Sequence, residues 1–264
     1  MTRPVAVATA LLFFASTSFA HDLWIVPSKF KPAAGDIVTA SLLVGQKLHG
    51  EPLPRIPPLV DRFVLWRNGV ETPMVGRAGA DPAGAVRVAE PGVQWIGYQS
   101  NSYPLSLEAA KFTDYLREEG LEHVIEERAK SGQAAAASRE RFYRCAKALV
   151  SVGNDAKGAF DKPLGFTLEL IPRSNPYALR AGGKLPIALL FRGKPIANIL
   201  VVAMNRDDPA DQIAVRTDAK GRATIAVKRP GFWLIKAVHM QAAPAGAGVD
   251  WESWWASITF ELAP

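Results

Sequence analysis

Residues 232–240, FWLIKAVHM, and residues 251–262, WESWWASITFEL, decide the fold class of this 264-residue chain. Both runs are rich in aromatic and β-branched residues, and residues 241–250 between them are mostly Ala, Gly and Pro. Large apolar residues alternate from Trp254 to Leu262, which is the period of a β-strand with one buried face. We therefore expect the two runs to pair as an antiparallel hairpin.

The mouth of this hairpin contains a first group of candidate metal ligands. His239 ends one run, and Asp250 and Glu252 begin the other, so we expect them to lie roughly opposite each other, with Cβ atoms about 5 Å apart. Glu252 shares the apolar face of its strand, where a carboxylate needs an arginine, a histidine or a cation as its partner. The alternative for His239 is a core histidine bonded to Glu252.

The remaining chain divides into three predicted regions. Short apolar runs between turn residues predict an N-terminal β-sandwich over 21–104 and an immunoglobulin- or transthyretin-like sandwich over 160–264. Residues 105–155 between them have no proline and show helical spacing, which predicts three helices. The first of these should end at Gly120, the second covers 121–130 and the third covers 137–151. The predicted fold is mainly β, with two sandwich domains and an α-helical insert.

Composition and motifs argue against several function classes. The net charge of +6 is spread without a basic run, which argues against a nucleic-acid partner. Cys145 is the only cysteine, so it cannot form an intramolecular disulfide and is expected to be a buried thiol. The sequence has no Gly-x-Ser-x-Gly, His-Glu-x-x-His or phosphate-binding glycine motif. We therefore predict that the protein is not an enzyme.

The beginning of the chain is typical of a secretory signal peptide. Arg3 precedes an apolar run at 5–14, and Ser18 and Ala20 occupy the −3 and −1 positions of a cleavage site before His21. The apolar run is too short to cross a bilayer, so we expect a periplasmic protein with no membrane span in the mature chain. The signal peptide is predicted to cover residues 1–20.

Removal of this signal would create a metal chelator. An N-terminal His21 offers its α-amine and imidazole Nδ1 to one ion. Cleavage after Ser18 would instead make histidine the third residue, an arrangement that wraps Cu(II) or Ni(II) in a square plane. Either cleavage product is a chelator.

The other histidines complete the candidate ligand set. His49 lies on a predicted loop after a strand and is either a ligand or an exposed turn residue, whereas His123 is expected to form a surface salt bridge. Three nitrogen donors favour copper, and an added carboxylate broadens the site toward nickel, cobalt or zinc. The predicted metal ligands are His21, His49, His239, Asp250 and Glu252, and the predicted ion is nickel, cobalt or copper.

Several stretches also resemble a known family. They are HDLWIVP at 21–27, FTDYLREEGL at 112–121, RERFYRCAKAL at 139–149, GFWLIKAVHM at 231–240 and DWESWWAS at 250–257. These stretches resemble the NikM-like domain-of-unknown-function proteins of Gram-negative bacteria. The resemblance covers essentially the whole mature chain and implies a periplasmic component associated with nickel or cobalt uptake. It also implies a soluble partner of a membrane metal transporter component, and it supplies no catalytic residues.

Three functional hypotheses follow from the sequence. The first is a periplasmic accessory protein that binds nickel, cobalt or copper through His21 and His239 and delivers it to a membrane partner. The second is a non-catalytic adhesive or scaffold sandwich whose tryptophans form a core or a ligand platform. The third is a copper oxygenase with an N-terminal histidine, although the open copper face and reductant route that it requires are not visible in the sequence.

Overall fold

A computed structural model describes residues 21–153 and 157–263. The predicted signal peptide, residues 1–20, lies outside the described residues. The helices are α1 (Ala109–Glu118) and α2 (Glu122–Lys130), with short 3₁₀ turns at Pro57–Leu59 and Pro176–Ala178. The strands in the first half are β1 (Asp22–Pro27), β2 (Ile37–Gln46), β3 (His49–Leu53), β4 (Val60–Arg67), β5 (Val70–Pro73), β6 (Gly84–Arg87), β7 (Gly92–Ser100) and β8 (Tyr103–Leu107). Those in the second half are β9 (Ser138–Val152), β10 (Leu168–Pro172), β11 (Gly183–Phe191), β12 (Lys194–Pro195), β13 (Leu200–Asn205), β14 (Asp208–Arg216), β15 (Arg222–Val227), β16 (Gly231–Ala242) and β17 (Trp251–Leu262).

A nine-stranded central sheet organises the molecule. Its order is β14-β13-β16-β17-β9-β7-β4-β5, and β8 also pairs with β9. β16 and β17 form the predicted antiparallel hairpin, in which Trp254 lies opposite His239. β17 then pairs in parallel with β9, where Trp254 lies opposite Tyr143. Side chains alternate between the two faces, which are called here the Trp254 face and the Trp255 face.

A second sheet covers the Trp254 face. It contains β10, β11 and β12 in that order. β15 pairs with β11 on the edge opposite β10, which is also the edge that pairs with β12. The predicted alternation of β17 is confirmed, because its large apolar residues on this face all enter the core between the two sheets. They are Trp254, Ala256, Ile258, Phe260 and Leu262.

A third sheet and the two helices cover the Trp255 face. The sheet contains β1, β2 and β3, with β6 also paired to β2. The hydroxyl groups of Ser257 and Thr259 donate hydrogen bonds of 2.7 Å to the carbonyl oxygens of Leu23 and Ile25, so β1 lies directly on β17. The helices pack beside it through a cluster that includes Phe112, Leu116, Val124, Trp251 and Trp255.

The structure has two short helices within residues 105–155, and it has a strand where the third helix was predicted. Gly120 follows α1 with a φ of 67°, the left-handed conformation expected after a helix. Residues 137–151 were predicted to be helical, but Ser138–Val152 forms β9 instead. Most β9 residues are buried because other layers cover both sheet faces, so tertiary contacts override the helical preference of its Ala, Lys, Leu and Arg residues. Cys145 is buried as predicted, although it lies on a strand.

The predicted domain boundaries do not separate the sheets. β4 and β7 come from the predicted N-terminal domain, β16 and β17 come from the predicted C-terminal domain, and all four belong to the central sheet. β9 joins the two halves, since it pairs with β7 on one side and β17 on the other. The architecture is mainly β and consists of packed layers that share one central sheet.

All seven tryptophans are buried between the packed layers. Each has at most 7% of its surface exposed, so none forms an open platform on the surface. They are Trp24, Trp66, Trp95, Trp233, Trp251, Trp254 and Trp255.

Candidate functional site

Two of the predicted metal ligands, His21 and His49, line the same groove. Asp22 pairs with Gly45 and Gln46 pairs with His49, so one further step along β1 places His21 at the level of Gln46. The two histidines therefore flank Gln46 at one end of the β1-β2-β3 sheet. The groove has a volume of about 660 Å³, and its lining includes His21, Gln46, Lys47, His49, Glu51 and Glu118.

The hairpin between β2 and β3 fixes the position of His49. Its two turn residues, Lys47 and Leu48, both have positive φ angles, 50° and 63°, as in a type I′ turn. Gly45 leaves no room for a side chain, because a Cβ there would overlap the carbonyl oxygen of His49. His49 was predicted to lie on a loop after a strand, but it is the first residue of β3.

The His49 ring is oriented by a hydrogen bond. Its Nδ1 lies 3.0 Å from the carbonyl oxygen of Lys47, so Nδ1 carries the proton and donates it to that oxygen. In the neutral ring, Nε2 then holds the lone pair that a metal needs. This is the usual arrangement of a metal-binding histidine whose second nitrogen is held by a carbonyl group.

A buried arginine holds the backbone of His21. Arg144 on β9 has 6% of its surface exposed, and its Nη1 donates a 2.8 Å hydrogen bond to the carbonyl oxygen of His21. Phe142 and Tyr103 present their rings to the same guanidinium group at 5.1 and 5.7 Å. Burial lowers the pKa of Arg144, partly offset by nearby groups that include Asp22. Arg144 therefore ties residue 21 to the central sheet.

The neighbouring residue Asp22 is held by a buried charge cluster. Lys236 Nζ lies 2.9 Å from Asp22 Oδ1 and 2.8 Å from Glu119 Oε1. Burial alone would lower the pKa of Lys236, but the two carboxylates raise it. Burial raises the pKa of Glu119 to about 7, against the opposing effect of Lys236. This cluster fixes the start of β1 beneath the groove.

Glu118 closes the groove from above. It is the last residue of α1, and its Oε2 lies 3.5 Å from Gln46 Nε2. Across residues 21–153 and 157–263, no three His, Cys, Asp or Glu side chains are grouped so that they could hold one metal ion. The groove thus supplies two imidazole groups, and the carboxylates of Glu51 and Glu118 also line it. Because no three of these side chains are grouped around one ion position, a third donor must come from the backbone.

The structure does not bring His239 to this groove. His239 lies on the Trp254 face of the central sheet, where its ring contacts Phe191 at 4.5 Å and Trp254 at 6.2 Å. His21 lies on the opposite side, because it contacts Arg144 on the Trp255 face. Burial, followed by His123 and Arg192, lowers the pKa of His239 to about 4, so the ring is neutral at pH 7. Its Nδ1 is buried and has no hydrogen-bond partner among the described residues.

The two hairpin carboxylates are paired with arginines. Asp250 lies 3.0 Å from Arg139, and Glu252 lies 2.6 Å from Arg141. The expected position of His239 opposite residues 250–252 is wrong, because Trp254 lies opposite His239 and Gln241 lies opposite Glu252. β16 extends two residues further toward the loop than predicted, to Ala242, whereas β17 begins at Trp251 as predicted. The carboxylate on the apolar face did require a partner, and that partner is Arg141.

Sequence reasoning missed the residues that support the groove. Gln46, Glu118 and Arg144 were not identified, because nothing in their local sequence distinguishes them from surface polar residues. Arg144 in particular was assigned to a helix. A strand assignment for residues 138–152 would have placed Arg144 on the same side as Phe142 and therefore in the core.

Comparisons with known proteins add a family but no activity. The family described as Domain of unknown function (DUF4198) matches residues 18–241. No curated protein matches the chain. None of the helices in the described ranges is long and apolar enough to cross a membrane.

Similar solved structures are adhesin fragments with low scores. The D0-D1 domain of intimin is 12% identical, with a TM-score of 0.23 and coverage of 90% of this chain and 97% of that one. A tetra-tandem repeat from the extending region of a large adhesion protein is 8% identical, with a TM-score of 0.23 and coverage of 91% and 49%. The Yersinia pseudotuberculosis adhesin InvE is 13% identical, with a TM-score of 0.20 and coverage of 91% and 58%. These scores carry no functional argument, and the chain spans about half the length of the latter two structures.

Proposed function

This chain belongs to the family described as Domain of unknown function (DUF4198), and we propose that it is a periplasmic accessory protein that binds a transition metal. The mature protein begins at His21 and captures nickel, cobalt or copper in the groove that His21 shares with His49. It then passes the ion to a membrane transporter component. The position of both histidines in one groove is the observation that carries the proposal.

The donor atoms of the groove suit these ions. The α-amine and Nδ1 of an N-terminal His21 close a chelate ring, and His49 Nε2 adds a third nitrogen. Copper and nickel favour such nitrogen donors. The α-amine is not a side chain, so this set needs no third histidine.

The proposal uses only two of the predicted ligands. Asp250 and Glu252 already pair with arginines, and His239 lies across the central sheet from the groove. A cargo site also has to release its ion. A groove open to solvent, with donors from a chain end and a hairpin, is suited to that exchange.

Metal titration of the processed protein tests the proposal. We expect one Ni(II) or Cu(II) ion per chain, and His49→Ala should weaken binding at least about tenfold, which corresponds to about 1.4 kcal/mol. One extra residue before His21 should weaken binding similarly, because an amide replaces the amine. His123→Ala removes an exposed histidine elsewhere and is the matched control. Equal affinities for wild type and His49→Ala would overturn the proposal.

A further inference from the structure

A second cavity lies on the other side of the central sheet. Its volume is about 380 Å³, and residues from four strands and three loops line it. Those that matter for recognition are Gln99, Asn101, Tyr143, Arg192, Glu252 and Trp254. It opens on the Trp254 face, so it is distinct from the His21 groove.

Aromatic rings form one wall of this cavity. Tyr143 and Trp254 pair across β9 and β17, with ring centroids 5.5 Å apart and ring planes 5° apart. Trp254 is buried, whereas Tyr143 is partly exposed. Because Trp254 covers one face of the Tyr143 ring, the other face is available to the cavity that Tyr143 lines. A flat apolar surface of this kind can pack against a ligand ring.

Hydrogen-bonding groups surround that ring. Both bonds from Arg141 end on Oε1 of Glu252, at 3.1 and 2.6 Å, which leaves Oε2 to accept from a ligand. Asn101 donates its Nδ2 to the carbonyl oxygen of Pro58 at 2.8 Å, which leaves its Oδ1 as an acceptor. Arg192 supplies donors and is held over the Trp254 ring at 5.4 Å. Acceptors and donors therefore occur together around one aromatic face.

The polar groups are held in place before any ligand binds. Gln99 donates to Asp61 Oδ2 at 2.7 Å and accepts from the backbone nitrogen of Thr167 at 3.0 Å. The Arg192 guanidinium also lies 4.8 Å from the Phe191 ring. Preformed sites lose less conformational freedom on binding.

Charge selects the class of ligand. Asp61 and Glu252 are the acidic lining residues and Arg192 is the basic one. Arg141 lies outside the lining but pairs with Glu252, so the cavity and this paired arginine together have no net charge. Such a site favours neither a free anion nor a free cation. A neutral ring with many hydroxyl groups can use the aromatic face and both kinds of hydrogen-bonding group. The volume lies in the range of small-molecule pockets.

We propose that this cavity binds a neutral saccharide, with one sugar ring packed on the exposed face of Tyr143 and its hydroxyl groups bonded to Glu252, Asn101 and Arg192. This site is independent of the proposed metal site. It would allow the protein to attach to a glycan while its other side carries the ion.

The test uses the processed full chain and saturation-transfer NMR. The neutral probes are cellobiose, maltose and chitobiose, and glucuronic acid is the anionic control. We expect at least one neutral probe to bind with a dissociation constant of about a millimolar. Tyr143→Ala should reduce this affinity about tenfold, while Tyr143→Phe retains the ring and most of the affinity. A chelator should not change binding, which separates this test from that of the metal site.

Arg192→Ala provides a second variant. It should leave the packing of the core unchanged, because Arg192 lies exposed in the turn after β11. It should also weaken saccharide binding, with an unchanged thermal transition. The proposal is overturned if no neutral probe shows binding when each is supplied at about 10 mM, which is ten times the expected dissociation constant. It is equally overturned if glucuronic acid binds better than they do, or if Tyr143→Ala and Arg192→Ala both bind as wild type.

Discussion

Lys147 and Arg144 are buried cations on the same strand that face opposite sides of the central sheet, and their surroundings differ. Lys147 lies on the Trp254 face and forms a 2.8 Å ion pair with buried Glu169. Arg144 lies on the Trp255 face and has no ion pair with any residue in the described ranges. Its partners are the carbonyl oxygen of His21 and two aromatic rings.

This difference separates a structural role from a positioning role. Glu169 also accepts backbone hydrogen bonds from Leu164, Gly165 and Phe166 at 2.6 to 3.2 Å, so the Lys147 pair anchors the loop before β10. Arg144 anchors only the start of β1. A buried Arg144 without a carboxylate is explained best by what it holds, which is the first residue of the proposed mature chain.

The largest expected effect comes from breaking the Lys147 pair. Glu169→Ala leaves a buried ammonium group and three backbone N–H groups without their acceptor. It should lower the free energy of unfolding by about 3–5 kcal/mol. Lys147→Met should cost less, because the Glu169 carboxylate keeps its three backbone donors. Urea denaturation measures both. A smaller loss for Glu169→Ala than for Arg144→Met would reverse the proposed division of roles.

A second effect concerns Glu140, which lies four residues before Arg144 on the same face. Burial raises the pKa of Glu140 to about 7, despite hydrogen bonds from Ser253 and Tyr115. The folded protein therefore holds this proton more tightly than the unfolded chain. The stabilisation is complete below about pH 4.5 and is lost as the pH rises through about 7.

Glu140→Gln should remove this contribution. A difference of about 2.5 pKa units corresponds to roughly 3 kcal/mol. The variant should therefore gain up to about that much stability relative to wild type between pH 5 and pH 8. Thermal unfolding of both proteins across this range gives the measurement. Parallel pH profiles would show that Glu140 ionises in the folded protein as it does in the unfolded chain.

The smallest stability effect is expected for Arg144→Met. The change removes one hydrogen bond from a charged donor. It leaves no buried carboxylate without a partner and removes a desolvated cation, so the free energy of unfolding should fall by only about 1–2 kcal/mol. Nickel or copper affinity should nevertheless fall at least about tenfold. Lys147→Met should leave metal affinity unchanged. If both variants change metal affinity equally, Arg144 has no specific role in positioning His21.

The sequence was a good guide to the local elements. The predicted last hairpin and the predicted end of α1 at Gly120 are confirmed. Alternation and glycine conformation are local properties, so they can be read without a structure. The helix predicted over residues 137–151 was wrong, because burial on both sides of a central strand overrides the helix-favouring composition of this segment.

The site was predicted only in part, because the pairing of strands and the stacking of sheets cannot be read from the pattern of a single strand. His21 and His49 were both identified, but their common groove depends on the pairing of β1, β2 and β3, which single-strand patterns do not determine. His239 was assigned to the same site as His21, although a sheet lies between them. The expected partners of His239 were misplaced because β16 continues to Ala242, which pairs with Trp251 and shifts the register by two residues.

Pulsed electron paramagnetic resonance of the Cu(II)-loaded processed protein tests the central claim most directly, because it counts the imidazole groups bound to copper. We expect two imidazole nitrogens in wild type and in His239→Gln, and one in His49→Ala. An unchanged imidazole signal in His49→Ala would contradict the proposed pairing of His21 with His49.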